Sequence, residues 1–370
     1  CKMEKRRIED WYGPFLICLL GIIVYSNTFH VPFVFDDTRN IVENPAIRNL
    51  WNIHAIWNFL ATRFVTYFSL ALNYHFHKLS LPGYHIFNLA VHLGNAILVY
   101  WFILLTFSTP YFNHPYSVIP ACLRQESGFP LTARGNDMVG LTEYLRNLLA
   151  LFGALLFVCH PVQTQAVTYI IQRAASFATC WYLLTLCLYA KARLPSASRP
   201  YYAGSIISAV LALFTKETAI TLPFMLLLWE LCFFEKLTKT SIKRTAPFFT
   251  LLLVTLMTIR ITGSINFENL RKIDPGFYAT ATISSKNYLL TQFRVIVTYI
   301  RLLLVPINQN LDYDYPIARN LFSPPVLGSL VLLLVLLAFG VWFYRKNRLI
   351  SFSIFWFFLV LVPESSFIPI

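Results

Sequence analysis

Residues 324–344 read PPVLGSLVLLLVLLAFGVWFY and contain no charged side chain. At about 1.5 Å per residue, a helix of this length covers the roughly 30 Å hydrocarbon core of a bilayer. Arg345, Lys346 and Arg348 follow directly. A basic cluster at the end of an apolar run is typical of the cytoplasmic side of a span. The stretch therefore predicts a transmembrane helix whose carboxyl end lies in the cytoplasm.

The rest of the chain has the same apolar character. Of its 370 residues, 57% are hydrophobic and 13% are charged, whereas a soluble domain is about 45–50% apolar and about a quarter charged. Apolar runs predict spans at about 11–27, 85–107, 146–159, 167–190, 201–215, 218–235, 246–262, 324–344 and 350–362. We therefore expect an all-α, polytopic transmembrane helical bundle, integral to the membrane.

The formal net charge of +13 comes largely from basic clusters in the joints between these runs. The clusters lie at 2–7, 191–199, 236–244 and 345–348. With a cytoplasmic amino terminus, alternation of the spans puts all four clusters in the cytoplasm, together with the loop 108–145. That is the distribution that the positive-inside rule requires. Topology therefore explains the charge, and we expect no nucleic-acid partner.

Two segments, 64–79 and 286–306, are apolar enough to span but carry polar residues at intervals. A charge at mid-bilayer costs at least about 2.5–3.5 kcal/mol, and counting either segment alone as a span would put Arg345 and its neighbours outside. We expect both to lie flat in the interface as juxtamembrane amphipathic helices. They belong to two large external loops, 28–84 and 263–323.

The first external loop contains two adjacent acids in the string FVFDDTRN, Asp36 and Asp37. Acidic residues are scarce in this chain, which has 17 in all. A carboxylate next to the membrane surface can act as a general base that takes a proton from an attacking hydroxyl. The competing interpretation is a helix or turn cap formed through Thr38 and Asn40.

Cations also interrupt apolar stretches at predicted external ends of spans. Lys216 and Glu217 lie in the string FTKET, where the lysine could neutralise a phosphate or the two could form a local ion pair that ends two helices. Arg173 lies in HPVQTQAVTYIIQRA and is a candidate phosphate clamp, because a guanidinium matches phosphate geometry.

The histidines have a more structural character. His160 begins the string that contains Arg173, and we interpret it as a structural histidine at a helix end. His85 and His92 share a helix face with Asn88, but no metal-binding motif is present. We expect no required cofactor; a divalent metal would be compatible with the sequence, but no pattern indicates one.

Besides an enzyme that acts at the membrane surface, two classes of protein remain open from the residues alone. A transporter or flippase of a lipid-linked substrate would place ionisable residues near mid-bilayer, facing a cavity. A non-catalytic membrane scaffold would use the acids only as caps. The acid pair, Arg63, Arg173 and Lys216 all fall at predicted external ends, which favours chemistry at the membrane surface.

Six strings, in order along nearly the whole chain, carry a resemblance. They are FVFDDTRNIVENPAI, TRFVTYFSLALNYHFHKLSLPGYHIFNLAVHL, HPVQTQAVTYIIQRA, FTKET, YLLTQFRVIVTYIRLLLVPINQNLDYDYPI and VPESSFIPI. Together they resemble the transmembrane and tetratricopeptide-repeat-containing (TMTC) family of protein O-mannosyltransferases and its bacterial relatives. A first span followed by a large external loop with an early acidic pair is also the layout of the GT-C superfamily of glycosyltransferases.

The resemblance implies a GT-C-like membrane glycosyltransferase, similar to a protein O-mannosyltransferase. It would move a hexose, mannose or a similar sugar, from a polyprenyl- or dolichyl-phosphate donor to a protein Ser or Thr hydroxyl, inverting the anomeric carbon. Asp36 or Asp37 would be the base. The residues implied to hold the donor phosphate are Arg63, Arg173, Lys216 and Arg294, and those implied to support the site are Glu43, His85, His160 and Glu217.

The implied location is a bacterial inner membrane or, in a eukaryote, the endoplasmic reticulum membrane, among membrane lipids and with the site on the periplasmic or lumenal side. Phe64 follows Arg63 where the family usually has proline, and 108–145 contains no family motif. The tetratricopeptide repeats expected after the membrane part do not occur in the sequence. We expect either a cut chain or a member without them.

Overall fold

A computed structural model describes most of the chain, namely residues 2–113, 135–194, 199–234, 238–262, 283–313 and 315–365. These residues form helices and turns and no β-strand, so the all-α prediction is confirmed for them. Much of the predicted cytoplasmic loop 108–145, and the first part of the predicted external loop 263–323, lie outside the described residues.

The longer helices are α1 (Lys2–Val24), α2 (Ile53–Phe59), α3 (Phe64–His77), α4 (Leu81–Phe107), α5 (Gly135–Cys159), α6 (Arg173–Arg193), α7 (Arg199–Leu213), α8 (Leu222–Phe233), α9 (Lys239–Thr262), α10 (Ser285–Leu304), α11 (Pro324–Phe343) and α12 (Arg348–Leu361). Each predicted span falls on one of these helices. The two predicted amphipathic segments are also helical and correspond to α3 and α10.

Length and composition single out fewer helices as membrane spans. Among the described residues, α4 and α11 are each long and apolar enough to cross a bilayer. Glu143–Cys159 of α5 and the following Pro161–Thr168, bent by 49° relative to it, make a third if they count as one span. The larger number of spans therefore stays a prediction.

Several helices, α1, α5, α9 and α11 among them, expose large apolar side chains on their outer faces. The exposed residues include Phe15 and Ile23 on α1, Phe152 and Leu156 on α5, Leu253 and Met257 on α9, and Val331, Leu334 and Val341 on α11. On α11 only Val326, Leu333 and Gly340 are buried. Soluble monomers rarely expose contiguous apolar surface beyond a few hundred Å². The outer surface of the helices is therefore suited to an apolar solvent.

The centre of the bundle is a stack of α4, α6 and α7, with α8 packed against α9 and α12. Small residues bring α7 close to its neighbours: Ser205, Ser208, Ala209 and Ala212 are all buried, and small side chains allow helix backbones to approach. Trp229 of α8 is also buried, and its indole N–H donates to Thr106 of α4 over 3.2 Å. The stack fixes the ends of α6, α7 and α8, which carry the polar residues described below.

The first predicted external loop folds around a core of its own. Ile41, Ile47 and Ile56 pack with Leu70 of α3 and Tyr84 of α4, all of them fully buried. Asparagine side chains cap two of its turns, which satisfies backbone amides at helix starts. The loop is therefore a packed unit that holds α3 against the bundle.

The start of α6 differs from the prediction. The predicted span 167–190 begins inside two short turns, Thr164–Thr168 and Ile170–Gln172, and α6 starts only at Arg173. The backbone N–H of Ile171 donates to Asp37 over 2.7 Å instead of continuing a helix. The first loop therefore takes part in ending this turn segment.

Candidate active site

The acid pair sits on a constrained turn. Phe35, directly before it, has φ of 47°, a left-handed conformation that a residue with a side chain adopts at a cost. The turn points the two carboxyl groups in different directions. Asp37 is fully buried, whereas Asp36 is exposed. A π-helical turn, Thr38–Val42, follows, a form often found at functional sites.

Asp37 is held by backbone amides. Its Oδ1 accepts from the N–H of Ile171 over 2.7 Å and its Oδ2 from the N–H of Val34 over 3.2 Å. Burial raises the pKa of the Asp37 carboxyl to about 6, against the lowering effect of these backbone hydrogen bonds. Both oxygens are thus engaged within the protein, and Asp37 ties the first loop to the segment before α6.

Asp36 is placed by its backbone. Its N–H donates to the phenolic oxygen of Tyr169 over 3.1 Å, and its carbonyl accepts from the amide of Asn40 over 2.9 Å. Asn40 in turn accepts from the hydroxyl of Tyr67 over 2.6 Å. Burial raises the pKa of Tyr169, and the charges of Asp36 and Asp37 raise it further, so this phenol stays protonated. The Asp36 carboxylate is left accessible beside two tyrosines.

Arg63 forms an ion pair with Glu217. The Arg63 Nε lies 3.0 Å from Oε2 and 3.1 Å from Oε1 of Glu217, and the hydroxyl of Thr62 donates to Oε1 over 2.8 Å. Burial raises the pKa of Glu217, but the charge of Arg63 and these hydrogen bonds outweigh it and keep the pKa below its ordinary value. Arg63 and Glu217 are each about one-third exposed, so the pair faces solvent on one side.

Lys216 forms a second ion pair beside the first. Its Nζ lies 2.7 Å from Oε1 of Glu364, which is about half exposed. The carbonyl of Glu364 also accepts from the hydroxyl of Tyr288 on α10 over 2.8 Å. The FTKET string therefore connects the first loop, through Arg63, with α10 and the segment after α12.

The acid pair and the two ion pairs belong to one polar region. Burial raises the pKa of the Tyr67 phenol to about 12, and the charges of Arg63, Glu217, Asp36 and Arg39 all act on it. Asp36 and the Arg63–Glu217 pair therefore both lie near Tyr67. We call this region, with Lys216 and Glu364, the acid–cation cluster.

A cleft of about 850 Å³ adjoins the acid–cation cluster. Tyr169 and Val34 line one side, and Tyr288, Gln292 and Tyr299 of α10 line the other. Tyr169 contacts Asp36, and Tyr288 contacts Glu364, so both sides lead to the cluster. Ligand sites are commonly concave, apolar volumes of about 300–1,000 Å³ with a few converging polar groups.

Arg173 lies elsewhere, inside the bundle. It is fully buried, and its guanidinium donates to the side chains of Asn88 and Asn73 and to the carbonyls of Ser69 and Tyr84. These contacts join α6 to α3 and α4. With its donors engaged by protein, Arg173 has no exposed edge to offer a phosphate, and the geometry favours a packing role.

The two predicted histidines connect segments of the chain. His85 is buried, and its Nε2 lies 2.8 Å from the carbonyl oxygen of Val31, at the start of the first loop. His160 accepts from the N–H of Val162 over 3.2 Å, and its Nε2 lies 3.1 Å from the carbonyl oxygen of Leu303 on α10. Neither reaches the acid–cation cluster by a direct bond.

Of the remaining predicted residues, Arg294 lies on α10 next to Tyr315, with its guanidinium 5.7 Å from the ring centroid. Glu43 is exposed at the end of the turn Thr38–Val42. Within the described parts of the chain, no three His, Cys, Asp or Glu side chains come together in a way that could hold a metal ion.

Sequence reasoning missed four residues of this region: Asn40 as a site residue, Tyr67, Tyr169 and Glu364. Tyr67, Tyr169 and Glu364 lie in strings that carry the resemblance, and Asn40 was considered only as a cap. Hydroxyl, amide and carboxyl groups within otherwise apolar strings at the predicted external ends were the available signal. Their pairing across 27 to 148 positions, as in Tyr67–Asn40 and Lys216–Glu364, is not encoded in any local pattern.

Comparison with known proteins confirms the resemblance stated above, because the curated relatives are protein O-mannosyltransferases, three of them named as TMTC proteins. Protein O-mannosyl-transferase F38B6.6 of Caenorhabditis elegans is 24% identical over 380 residues, which cover 98% of this chain and 48% of the relative. TMTC4 of Homo sapiens is 24% identical over 58% of this chain and 28% of the relative. Tmtc3 of Drosophila melanogaster is 29% identical over 47% and 18%.

The chain thus spans about half the length, or less, of the curated relatives that it matches. No protein-family model matches it. No solved structure matches it either.

Proposed function

We propose that this chain is a membrane glycosyltransferase that moves mannose from a polyprenyl-phosphate donor to a Ser or Thr hydroxyl of a protein. The observation that carries the proposal is the acid–cation cluster, where an accessible carboxylate and two cations meet beside a cleft. The names of the relatives support the sugar and the protein acceptor.

Asp36 is the base. Its carboxylate is exposed, whereas both oxygens of Asp37 accept backbone N–H groups. A base must reach the proton that it removes, within about 2.6–3.2 Å in the reacting complex. Asp37 cannot do so without leaving its amides, so it serves as the anchor that fixes the turn. The backbone N–H of Asp36 donates to Tyr169, which lines the cleft, and this bond places Asp36 next to it.

The reaction is a single displacement. The acceptor oxygen forms a bond to the anomeric carbon as its proton passes to Asp36. The bond from that carbon to the phosphate oxygen breaks, and polyprenyl phosphate leaves with the bonding electrons. Attack opposite the leaving group inverts the anomeric configuration. A positioned base contributes about 10²–10⁴-fold to such a reaction.

Arg63 and Lys216 receive the leaving phosphate. Each already faces a carboxylate, Glu217 or Glu364, in a partly exposed ion pair. These carboxylates hold the cations in place when no donor is bound. An incoming phosphate competes with the carboxylates for the two cations. Preorganised cations stabilise developing negative charge without reorganisation during the reaction. Arg294, near the cleft on α10, is the next cation that a donor would meet.

The chain crosses the membrane several times, with the acid–cation cluster on the periplasmic or lumenal side. The apolar outer faces of α1, α5, α9 and α11 support more spans than length and composition identify. The donor tail remains in lipid while its phosphate reaches the cluster at the surface. Membrane lipids are therefore the immediate surroundings of the site.

A sugar-transfer assay with the purified protein tests this proposal. The full chain in detergent is given polyprenyl phosphate [³H]mannose and a Ser/Thr-rich protein, with GDP-[³H]mannose as the soluble-donor control. We expect labelled protein from the lipid donor alone. Labelling from the nucleotide sugar alone would contradict the donor assignment. Movement of the lipid donor across liposome bilayers without any transfer would instead identify a flippase.

A further inference from the structure

A second cleft lies at the opposite end of the bundle from the acid–cation cluster. It has a volume of about 600 Å³ and is lined by Tyr189, Arg193, Arg199, Tyr202, Lys243 and Arg244 among others. The helix α6 runs from Arg173, two positions after the anchor contact of Ile171, to Arg193, a length of about 30 Å. This basic cleft is therefore about one bilayer core away from the acid pair.

The basic cleft has more cationic than acidic side chains. Glu230 lies fully buried behind it, where its carboxylate accepts from Arg193 over 2.9 Å, from Tyr189 over 2.8 Å and from Ser241 over 3.0 Å. That carboxylate balances Arg193. Among the described residues, the other three cations of the cleft form no ion pair with a carboxylate.

The cations are positioned by the fold. The cleft lies where α6 ends and where α7 and α9 begin. The N–H groups at the two helix starts add positive potential, and the carbonyl groups at the end of α6 offset part of it. The hydroxyl of Tyr202 donates to the carbonyl of Arg244 over 2.8 Å, which ties α7 to α9. The Arg193 guanidinium lies 4.1 Å from the centroid of the Phe234 ring. Like charges gathered in one cleft repel each other unless an anion joins them.

Membrane topology alone does not explain this arrangement. The positive-inside rule accounts for basic residues in cytoplasmic joints, but it would be satisfied by cations that point away from one another. Here cations from two separate joints converge on one volume. Phosphate is an anion that suits arginine and lysine, since both donate several N–H bonds to its oxygens.

We propose that the basic cleft binds a phosphate ester, with the headgroup of an anionic phospholipid as its source. Ile242, next to Lys243, is exposed, as are Leu253 and Met257 further along α9, and this apolar surface gives acyl chains a place beside the headgroup. Basic pockets between helices on the cytoplasmic side are known to hold such headgroups. The inference does not depend on the transferase reaction, because the two clefts share no residue.

Lipid retention tests the proposal on the full chain in a zwitterionic detergent. Phosphatidylinositol 4-phosphate, phosphatidylcholine and inorganic phosphate are added separately, and bound lipid is counted by native mass spectrometry. The shift in the midpoint of thermal unfolding measures how far each of these three compounds stabilises the protein. The cleft variant is Lys243→Gln/Arg244→Gln. The matched control, Lys239→Gln/Lys346→Gln, removes the same charge from exposed positions that do not line the cleft.

We expect the wild type and the control to retain the phosphoinositide, with about tenfold or greater weakening in the cleft variant and no specific retention of phosphatidylcholine. Stabilisation by inorganic phosphate that the cleft variant loses would support the phosphate chemistry with a soluble source. Equal retention by the cleft variant, or no binding of either anion, would overturn the proposal. Arg199→Gln, at an exposed helix start, repeats the test if the double variant unfolds.

Discussion

The backbone N–H of Asp36 donates to the phenolic oxygen of Tyr169, 3.1 Å away and 133 positions along the chain. The neighbouring carboxylate of Asp37 accepts from Ile171 in the same segment. Two adjacent acids thus bind one turn through different groups, the first by its amide and the second by its side chain. Only the first keeps an exposed carboxylate that a substrate can reach.

Tyr169→Phe removes this acceptor and leaves the ring in place. We expect kcat to fall by about five- to tenfold, since one neutral hydrogen bond is worth about 1 kcal/mol, while the donor KM changes little. Steady-state kinetics on the purified variant measures both. Tyr84→Phe is the control, because it too loses a hydrogen bond of a tyrosine hydroxyl, here donated to the carbonyl of Lys78 over 2.7 Å, outside the cluster. Equal effects of the two variants would assign Tyr169 a merely structural role.

Asp37 gives the fold a pH dependence. Its folded pKa of about 6 exceeds its unfolded value of 3.8, so between these values the folded state binds the proton more tightly. The contribution of Asp37 to stability therefore falls as pH rises from about 4 to about 6 and is level above. Asp37→Asn cannot titrate. We expect the difference in unfolding midpoint, wild type minus variant, to be larger at pH 4 than at pH 7.

A difference that does not change with pH would contradict the buried position of Asp37. The variant should also be less stable at all pH values, by about 1–3 kcal/mol, because the Asn amide group cannot accept from a backbone N–H as the second carboxylate oxygen does. Asp36→Asn, at an exposed position, serves as the matched control and should not lose this stability.

The helices were predictable because apolar runs long enough to span a bilayer are a local property of the sequence. The polar stripes of α3 and α10 likewise identified two helices apart from the spans. The start of α6 was not predictable, because it depends on Ile171 donating to Asp37. The internal core of the first loop was also missed, since its isoleucines are spread over segments with no regular period.

The site was predictable in residue type but not in pairing. A sequence shows that Arg173 is a cation in an apolar string, but not that Asn73 and Asn88 of two other helices receive its donors. Lys216 and Glu217 were candidates for one local pair. The fold instead gives each its own distant partner, Glu364 and Arg63. Long-range contacts of this kind are set by packing of the bundle.

Lys216→Ala tests the phosphate site. We expect the donor KM to rise about tenfold or more, because the variant loses a charge-assisted contact with the phosphate, with little change in the unfolding midpoint. Glu364→Gln removes the competing carboxylate and should leave donor binding equal or tighter. Unchanged donor KM and kcat in a folded Lys216→Ala protein would make the lysine structural.

The helices α6 and α7 should each have one end on either side of the membrane. In a background without native cysteines, Asn52→Cys represents the end with the acid–cation cluster and Lys239→Cys the end with the basic cleft; both positions are exposed. A membrane-impermeant maleimide applied to sealed vesicles should label one of them and not the other, until the vesicles are opened. Labelling of both in sealed vesicles would contradict this topology.

The central claim is that Asp36 is the base for transfer from a lipid-phosphate donor, and mannose transfer by Asp36→Asn tests it most directly. Glu143→Gln is the control, an exposed acid on α5 and outside this loop. Asn keeps the size of Asp36 and its backbone bonds but removes basicity. We expect turnover to fall about 100-fold or more, donor photo-crosslinking to be retained, and Glu143→Gln to transfer as the wild type does. Near-full turnover by folded, donor-binding Asp36→Asn protein would contradict the account.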